Sequence, residues 1–189
     1  MLTKEKKYIT PQEYLKFERE SETKHEYYNG EIFDMSGASI NHNMISVNIL
    51  SSLHGKLKGK NCIPFGSDMR VYVSENGLYT YPDVSVYCGD VKLLDEEEDT
   101  ALEPRVIFEV LSKSIHSYDR VGKFKLYRDI PTLEEYVLVS QDAINVEHYR
   151  RQADGKWLLE EFKNVGDKIL LSSIECELEI KDVYDVVKV

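Results

Sequence analysis

The chain has 189 residues, with 24 Lys and Arg against 34 Asp and Glu, a formal charge of −10. Hydrophobic residues make up 42%, with 10 Gly and 5 Pro, which excludes a disordered or collagen-like chain and suits one domain with its own core, expected over residues 1–189. The acidic balance counts against a simple electrostatic nucleic-acid binder, for which a basic surface is expected.

No apolar run approaches the roughly 20 residues needed to cross a bilayer. The N-terminal MLTKEKKYIT has basic residues but no apolar stretch behind them, so no secretory signal is expected. The cysteines are Cys62, Cys88 and Cys176. An odd count without short spacings gives neither a disulfide framework nor a zinc pattern, and the expectation is buried free thiols in a reducing cytoplasm, with no membrane attachment.

Thr10-Pro11-Gln12-Glu13 reads as a helix start, with Thr10 as N-cap, Pro11 as first helical residue and Glu13 completing a capping box; the helix should run to about Glu20. Asn29-Gly30, between short apolar-aromatic runs in Tyr27 to Met35, predicts a hairpin. Met44, Ile45, Val47, Ile49, Leu50, Leu53 and Leu57 form a helical apolar stripe that stops near Gly59. Strands are expected at Cys62 to Phe65, Met69 to Val73, Val84 to Tyr87 and Val106 to Leu111, with Asp95-Glu96-Glu97-Glu98-Asp99 as a solvated loop. A helix from about Tyr118 to Arg128 stops before Pro131. Tyr136 to Val139 reads as a buried strand, Ile144 to Tyr149 and Trp157 to Phe162 as a hairpin around Ala153-Asp154-Gly155, and Lys181 to Val187 as a short helix. Strands with interspersed helices predict an α/β or α+β class with a mixed sheet.

Glu109 is the sharpest oddity. Val106, Ile107 and Phe108 precede it and Val110 and Leu111 follow it, the pattern of a strand covered on both faces. A carboxylate there is costly unless it is paired, protonated or bound to a cation. An inward salt bridge is the plain alternative to a functional role. Asp83 is the second oddity. Pro82 cannot donate to a ladder and suits a strand's first residue, which puts Asp83 at the strand entry. Two carboxylates at neighbouring strand ends can share Mg²⁺, which takes one or two protein carboxylates and keeps several waters. Asp119, Lys123 and Tyr127 fall at i, i+4 and i+8, on one helix face, and supply partners that can act on a water. The five histidines show no HExxH-type spacing, and no P-loop, GxGxxG or nucleophile elbow appears.

Tyr81-Pro82-Asp83, Phe108-Glu109-Val110-Leu111-Ser112, Asp119-x3-Lys123-x3-Tyr127 and Glu135-Tyr136-Val137-Leu138-Val139, in that order and spacing, resemble the signature of the putative restriction-endonuclease family of the PD-(D/E)XK nuclease superfamily. Glu26-Tyr27-Tyr28-Asn29-Gly30-Glu31-Ile32 and His42 also match its pattern, so the resemblance covers roughly residues 8 to 150. It implies an α/β restriction-endonuclease-like fold, a mixed central β-sheet flanked by helices. It implies an endonuclease that hydrolyses phosphodiester bonds of DNA with Mg²⁺, for which Mn²⁺ can substitute. Asp83 and Glu109 match the metal-binding positions. Leu111 stands where the superfamily usually has lysine, and Lys123 would supply that amine from the next helix. Glu26 matches an acidic position before the hairpin that completes the metal shell, and Ser140 stands where the family often has aspartate. DNA is the implied substrate, and a homodimer follows by analogy with two-strand cutters. Lys56, Lys58, Lys60, Arg120, Lys123 and Lys125 are the residues from which a positive strip could be built on the acidic body. The rival reading is a catalytically inactive module of the same fold that binds nucleic acid or a protein partner.

Overall fold

The computed structural model describes residues 8–111 and 122–189. Helix α1 (Pro11–Glu20) starts as its sequence dictates: Thr10 Oγ1 accepts from the Glu13 amide at 3.2 Å, and Glu13 Oε2 accepts from the Thr10 amide at 2.8 Å. Strands β1 (His25–Tyr28) and β2 (Glu31–Asp34) form the expected hairpin, with Asn29 and Gly30 both at positive φ. Helix α2 (Ile40–Leu57) begins four residues before the apolar stripe because Ser39 caps it, accepting from the His42 amide. Ile45, Ile49, Leu53 and Leu57 are buried at a spacing of four, whereas Val47, expected in that stripe, is 59% exposed.

Seven strands follow: β3 (Cys62–Gly66), β4 (Arg70–Val73), β5 (Leu78–Thr80), β6 (Val84–Cys88), β7 (Lys92–Leu93), β8 (Thr100–Leu102) and β9 (Val106–Leu111). Of the helix expected over 118–128, the part up to 121, with Asp119 and Arg120, lies outside the described residues. Gly122 and Lys123 lead, in a π-helical turn, into α3 (Phe124–Tyr127). The chain closes with β10 (Glu135–Ser140), β11 (Val146–Arg151), β12 (Trp157–Phe162), β13 (Lys168–Leu171), β14 (Cys176–Glu179) and α4 (Ile180–Val183).

One six-stranded sheet has the order β12-β11-β10-β9-β6-β3. Its β9–β10 pair is parallel and its other pairs are antiparallel, so it is the expected mixed sheet. A second six-stranded sheet, β2-β1-β5-β4-β8-β7, was not expected as such; three of its strands have only two or three residues, too short to carry a periodic pattern. Strand β9 is buried on both faces. Val106, Phe108 and Val110 pack with the buried residues of α2 and of the C-terminal β14 and α4, while Ile107 and Leu111 pack with Tyr127, Leu133 and Tyr136. Alternation puts Glu109 on the second face, beneath α3.

Two local expectations are corrected. Cys62 and Cys88 are disulfide-bonded, so only Cys176 is a free thiol. They face each other in the β3–β6 register, next to the pair in which the Gly89 amide donates to Asn61 O. That makes theirs a non-hydrogen-bonded pair, the position where side chains approach closest. A sequence separation of 26 does not reveal this register, and the argument from free thiols to a reducing compartment falls. The acidic run is a loop, but not merely a solvated one. Asp95 and Asp99 bind Arg19 at 2.7 and 2.8 Å, and Asp99 also binds the buried Arg70 at 2.7 Å. Arg70 continues inward to Thr100 Oγ1 and to the Tyr81 hydroxyl, which donates to Glu18.

The hydrogen bond from Arg19 is the main force holding the Asp99 carboxyl well below the usual carboxylate range. Its contribution to stability is therefore complete above the unfolded value of about 3.9 and is lost as pH falls through the lowered folded value. Asp99→Asn is expected to lower the urea midpoint at pH 7 and to flatten the acid limb of the stability profile; superimposable pH profiles would contradict this. A second test concerns Glu135, fully buried with His148 Nε2 on Oε2 at 2.5 Å and the Ser173 amide on Oε1 at 2.7 Å. Glu135→Leu should cost about 3–5 kcal/mol in urea unfolding, and Glu135→Gln, which keeps both contacts possible, much less.

Candidate active site

Four chain segments converge where β1, β5 and β9 meet the start of α3. Glu109 enters from β9 with its side chain only 6% exposed. A lone carboxylate in that position would be strongly disfavoured, and its surroundings show how it is accommodated. Tyr127, one turn along from Lys123, donates its hydroxyl to Glu109 Oε1 at 2.7 Å, and Lys123 Nζ lies 3.4 Å from the same oxygen. The i, i+4 spacing read from the sequence thus brings both side chains to one carboxylate. Lys123 Nζ also lies 2.9 Å from Glu26 Oε1, which comes from β1 in the second sheet. The inward ion pair considered for Glu109 is therefore present, and it joins three of the four expected site residues, Glu26, Glu109 and Lys123.

Asp83 approaches from the other side. The β6–β9 register pairs Val84 with Phe108, and one step further places Asp83 opposite Glu109. Asp83 Oδ2 accepts the Val110 amide at 2.7 Å, so the carboxylate takes a ladder position at the point where Pro82 interrupts the strand. The same oxygen lies 3.2 Å from His42 Nε2, carried on the first turn of α2. Side-chain exposures of 13% for Asp83 and 17% for His42 leave this end of the site the more open to solvent.

Thr80 escaped the sequence reading. It stands fully buried at the end of β5, donates to Glu26 Oε1 at 2.5 Å and lies 3.1 Å from the Tyr127 hydroxyl. Burial first, then the negative charges of Glu109 and Glu26, push the Tyr127 phenol well above its ordinary value, so it remains a donor throughout the working pH range. Leu111, buried two residues beyond Glu109, points to the same face as that residue.

Among the described residues no group of three or more His, Cys, Asp or Glu is arranged to hold a metal ion. The donor set nonetheless fits Mg²⁺. Asp83 and Glu109 offer hard carboxylate oxygens from the entry of β6 and from the neighbouring β9, and this ion needs only one or two carboxylates because it keeps its waters. Lys123 meanwhile takes up charge on the Glu26 side.

The positive strip does not take the form suggested by the sequence. Lys56 Nζ donates to Glu177 O and lies 3.6 Å from Asp182, and Lys60 Nζ donates to Glu175 O. Both are at the C-terminal end of α2, about 20 Å along the helix from His42. Lys123 is buried in the site and Lys125 is exposed.

The mixed sheet flanked by helices is the expected restriction-endonuclease-like fold, and the comparisons bear out that fold. The chain belongs to the Uma2 family, described as "Putative restriction endonuclease", whose model matches residues 11–182. Uncharacterized protein slr1290 of Synechocystis is 36% identical over 176 residues, covering 93% of this chain and 91% of the relative. Uncharacterized protein sll1609 of the same organism is 38% identical over 166 residues, covering 88% and 94%. The crystal structure of a protein from Anabaena variabilis, described as a putative nuclease belonging to DUF820, superposes with a TM-score of 0.74 over 95% of this chain and 99% of that chain, at 23% identity. That likeness shows the fold.

The ion-pair arrangement makes a prediction of its own. Lys123→Met leaves Glu26 and Glu109 buried near each other without their shared cation, and should cost about 3–5 kcal/mol in metal-free buffer. Adding Glu109→Gln to that variant should recover part of the loss. Unchanged melting of Lys123→Met would show that the ammonium is not what holds the two acids.

Proposed function

We propose that the chain is a Mg²⁺-dependent endodeoxyribonuclease in which Asp83 and Glu109 hold the ion and Lys123 assists the attacking water. The observation that carries this reading is the placement of Lys123 Nζ, 3.4 Å from the carboxylate of Glu109 and 2.9 Å from that of Glu26, with Asp83 opposite in register. When bound, Mg²⁺ supplies a Lewis acid for the phosphate oxygens and lowers the pKa of water toward neutrality.

The chain's own residues do the rest. Lys123 carries its ammonium between Glu26 and Glu109, where its N–H donors orient a water or meet charge developing on the phosphate. Glu26 keeps the ammonium at the mouth of the β9 carboxylate. His42 and the Val110 amide fix one oxygen of Asp83. No covalent intermediate on the protein is called for. Cutting both strands of a duplex needs two such sites, which is the reason to include a homodimer in the proposal.

Asp83→Ala and Glu109→Ala should each abolish Mn²⁺ binding by calorimetry and nicking of supercoiled plasmid. Lys123→Ala, once circular dichroism confirms folding, should lower the nicking rate by about 10²–10⁴ while retaining metal affinity. Equal Mn²⁺ affinity in the wild type and both carboxylate variants would move the metal elsewhere. The net charge of −10 and the engagement of Lys56 and Lys60 with C-terminal carbonyls favour the second reading, an inactive module. A folded wild type that binds no duplex DNA at low salt in Ca²⁺ would support a module with a protein partner over the nuclease, whose affinity should fall linearly with the logarithm of salt concentration.

A further inference from the structure

We propose that Thr80 and Tyr127 act as a pair of positioning residues, a hydroxyl bridge that fixes Glu26 and Glu109 relative to each other for metal binding. This deepens the nuclease reading above and rests on it for the identity of the ion.

Five polar atoms lie in a ring of contacts, in which Thr80 donates its one proton to Glu26 and Tyr127 donates its one proton to Glu109, with the two hydroxyl oxygens packed against each other. Glu26 Oε1 lies 2.5 Å from Thr80 Oγ1, which lies 3.1 Å from the Tyr127 hydroxyl. That hydroxyl lies 2.7 Å from Glu109 Oε1, and Lys123 Nζ closes the circuit at 3.4 and 2.9 Å. The two acids belong to different sheets, Glu26 to that of β1 and β5 and Glu109 to that of β9. Lys123 links them through one long side chain held by both carboxylates. Thr80 and Tyr127 hold them with two fully buried side chains of few rotamers, each hydroxyl donating to one carboxylate. A threonine at the end of β5 and a tyrosine on α3 thus set the spacing together with the lysine.

Thr80 gives its one hydroxyl proton to Glu26 and meets the Tyr127 hydroxyl with the same oxygen, which valine of the same shape cannot do. A purely structural role would need only its volume. The bridging role needs its oxygen, and serine supplies that oxygen without the methyl group.

The test measures Mn²⁺ affinity by calorimetry, and plasmid nicking in parallel, for the wild type and for Thr80→Val, Thr80→Ser and Tyr127→Phe. Thr80→Val and Tyr127→Phe should each weaken Mn²⁺ binding by about 10–100-fold, the usual cost of removing a partner that orients a metal ligand, and Thr80→Ser should stay close to wild type. Tyr127→Phe keeps the aromatic packing and serves if Thr80→Val does not fold. Wild-type Mn²⁺ affinity in both hydroxyl deletions overturns the bridge and leaves the nuclease reading standing, as does a change in melting temperature alone. A wild type that binds Mn²⁺, loses it in Thr80→Val, yet does not nick DNA upholds the bridge and overturns the nuclease. No Mn²⁺ binding in the wild type overturns both.

Discussion

A single ion pair organises this molecule. Glu109 interrupts a strand of the main sheet that is buried on both faces, and Lys123 and Tyr127 descend on it from α3. That contact fixes where α3 must sit and on which face of the sheet. It also fixes where the second sheet must meet the first, since Glu26 shares the same ammonium. The polar groups of the candidate site are thus gathered at the place where the hydrophobic packing has to make an exception.

The apolar framework has to be rigid for that exception to hold. Packing on both faces of β9, by α2 and the C-terminal elements on one side and by Tyr127, Leu133 and Tyr136 on the other, leaves Glu109 little room to turn away. The second sheet is tied down by a different polar system, the Arg70 guanidinium with Asp99, Thr100 and Tyr81, which extends through Arg19 to the acidic loop. Glu26 and Thr80 hang from that sheet, so its internal ties reach the site.

Much of this was legible in the residues because each feature leaves a local mark. A carboxylate among five apolar residues announces Glu109, proline at a strand entry announces Asp83, and a four-residue spacing announces Lys123 with Tyr127. Thr80 left no mark, since threonine is ordinary in strands and β5 has only three residues. The Cys62–Cys88 bond and the second sheet depend on register between distant segments, which no spacing encodes. The lysines at the end of α2 looked like a surface strip, and only the position of the C-terminal strand and helix shows that Lys56 and Lys60 cap carbonyls there.

The central claim is that the carboxylates of Asp83 and Glu109 form a divalent-cation site beside a lysine that bridges Glu109 to Glu26. Anomalous diffraction from a crystal soaked in Mn²⁺ tests it most directly. The account predicts one strong peak bonded to both carboxylates, with Lys123 still next to Glu26. A peak bound elsewhere on the chain, or none near Glu109 in a crystal that diffracts well, would contradict it.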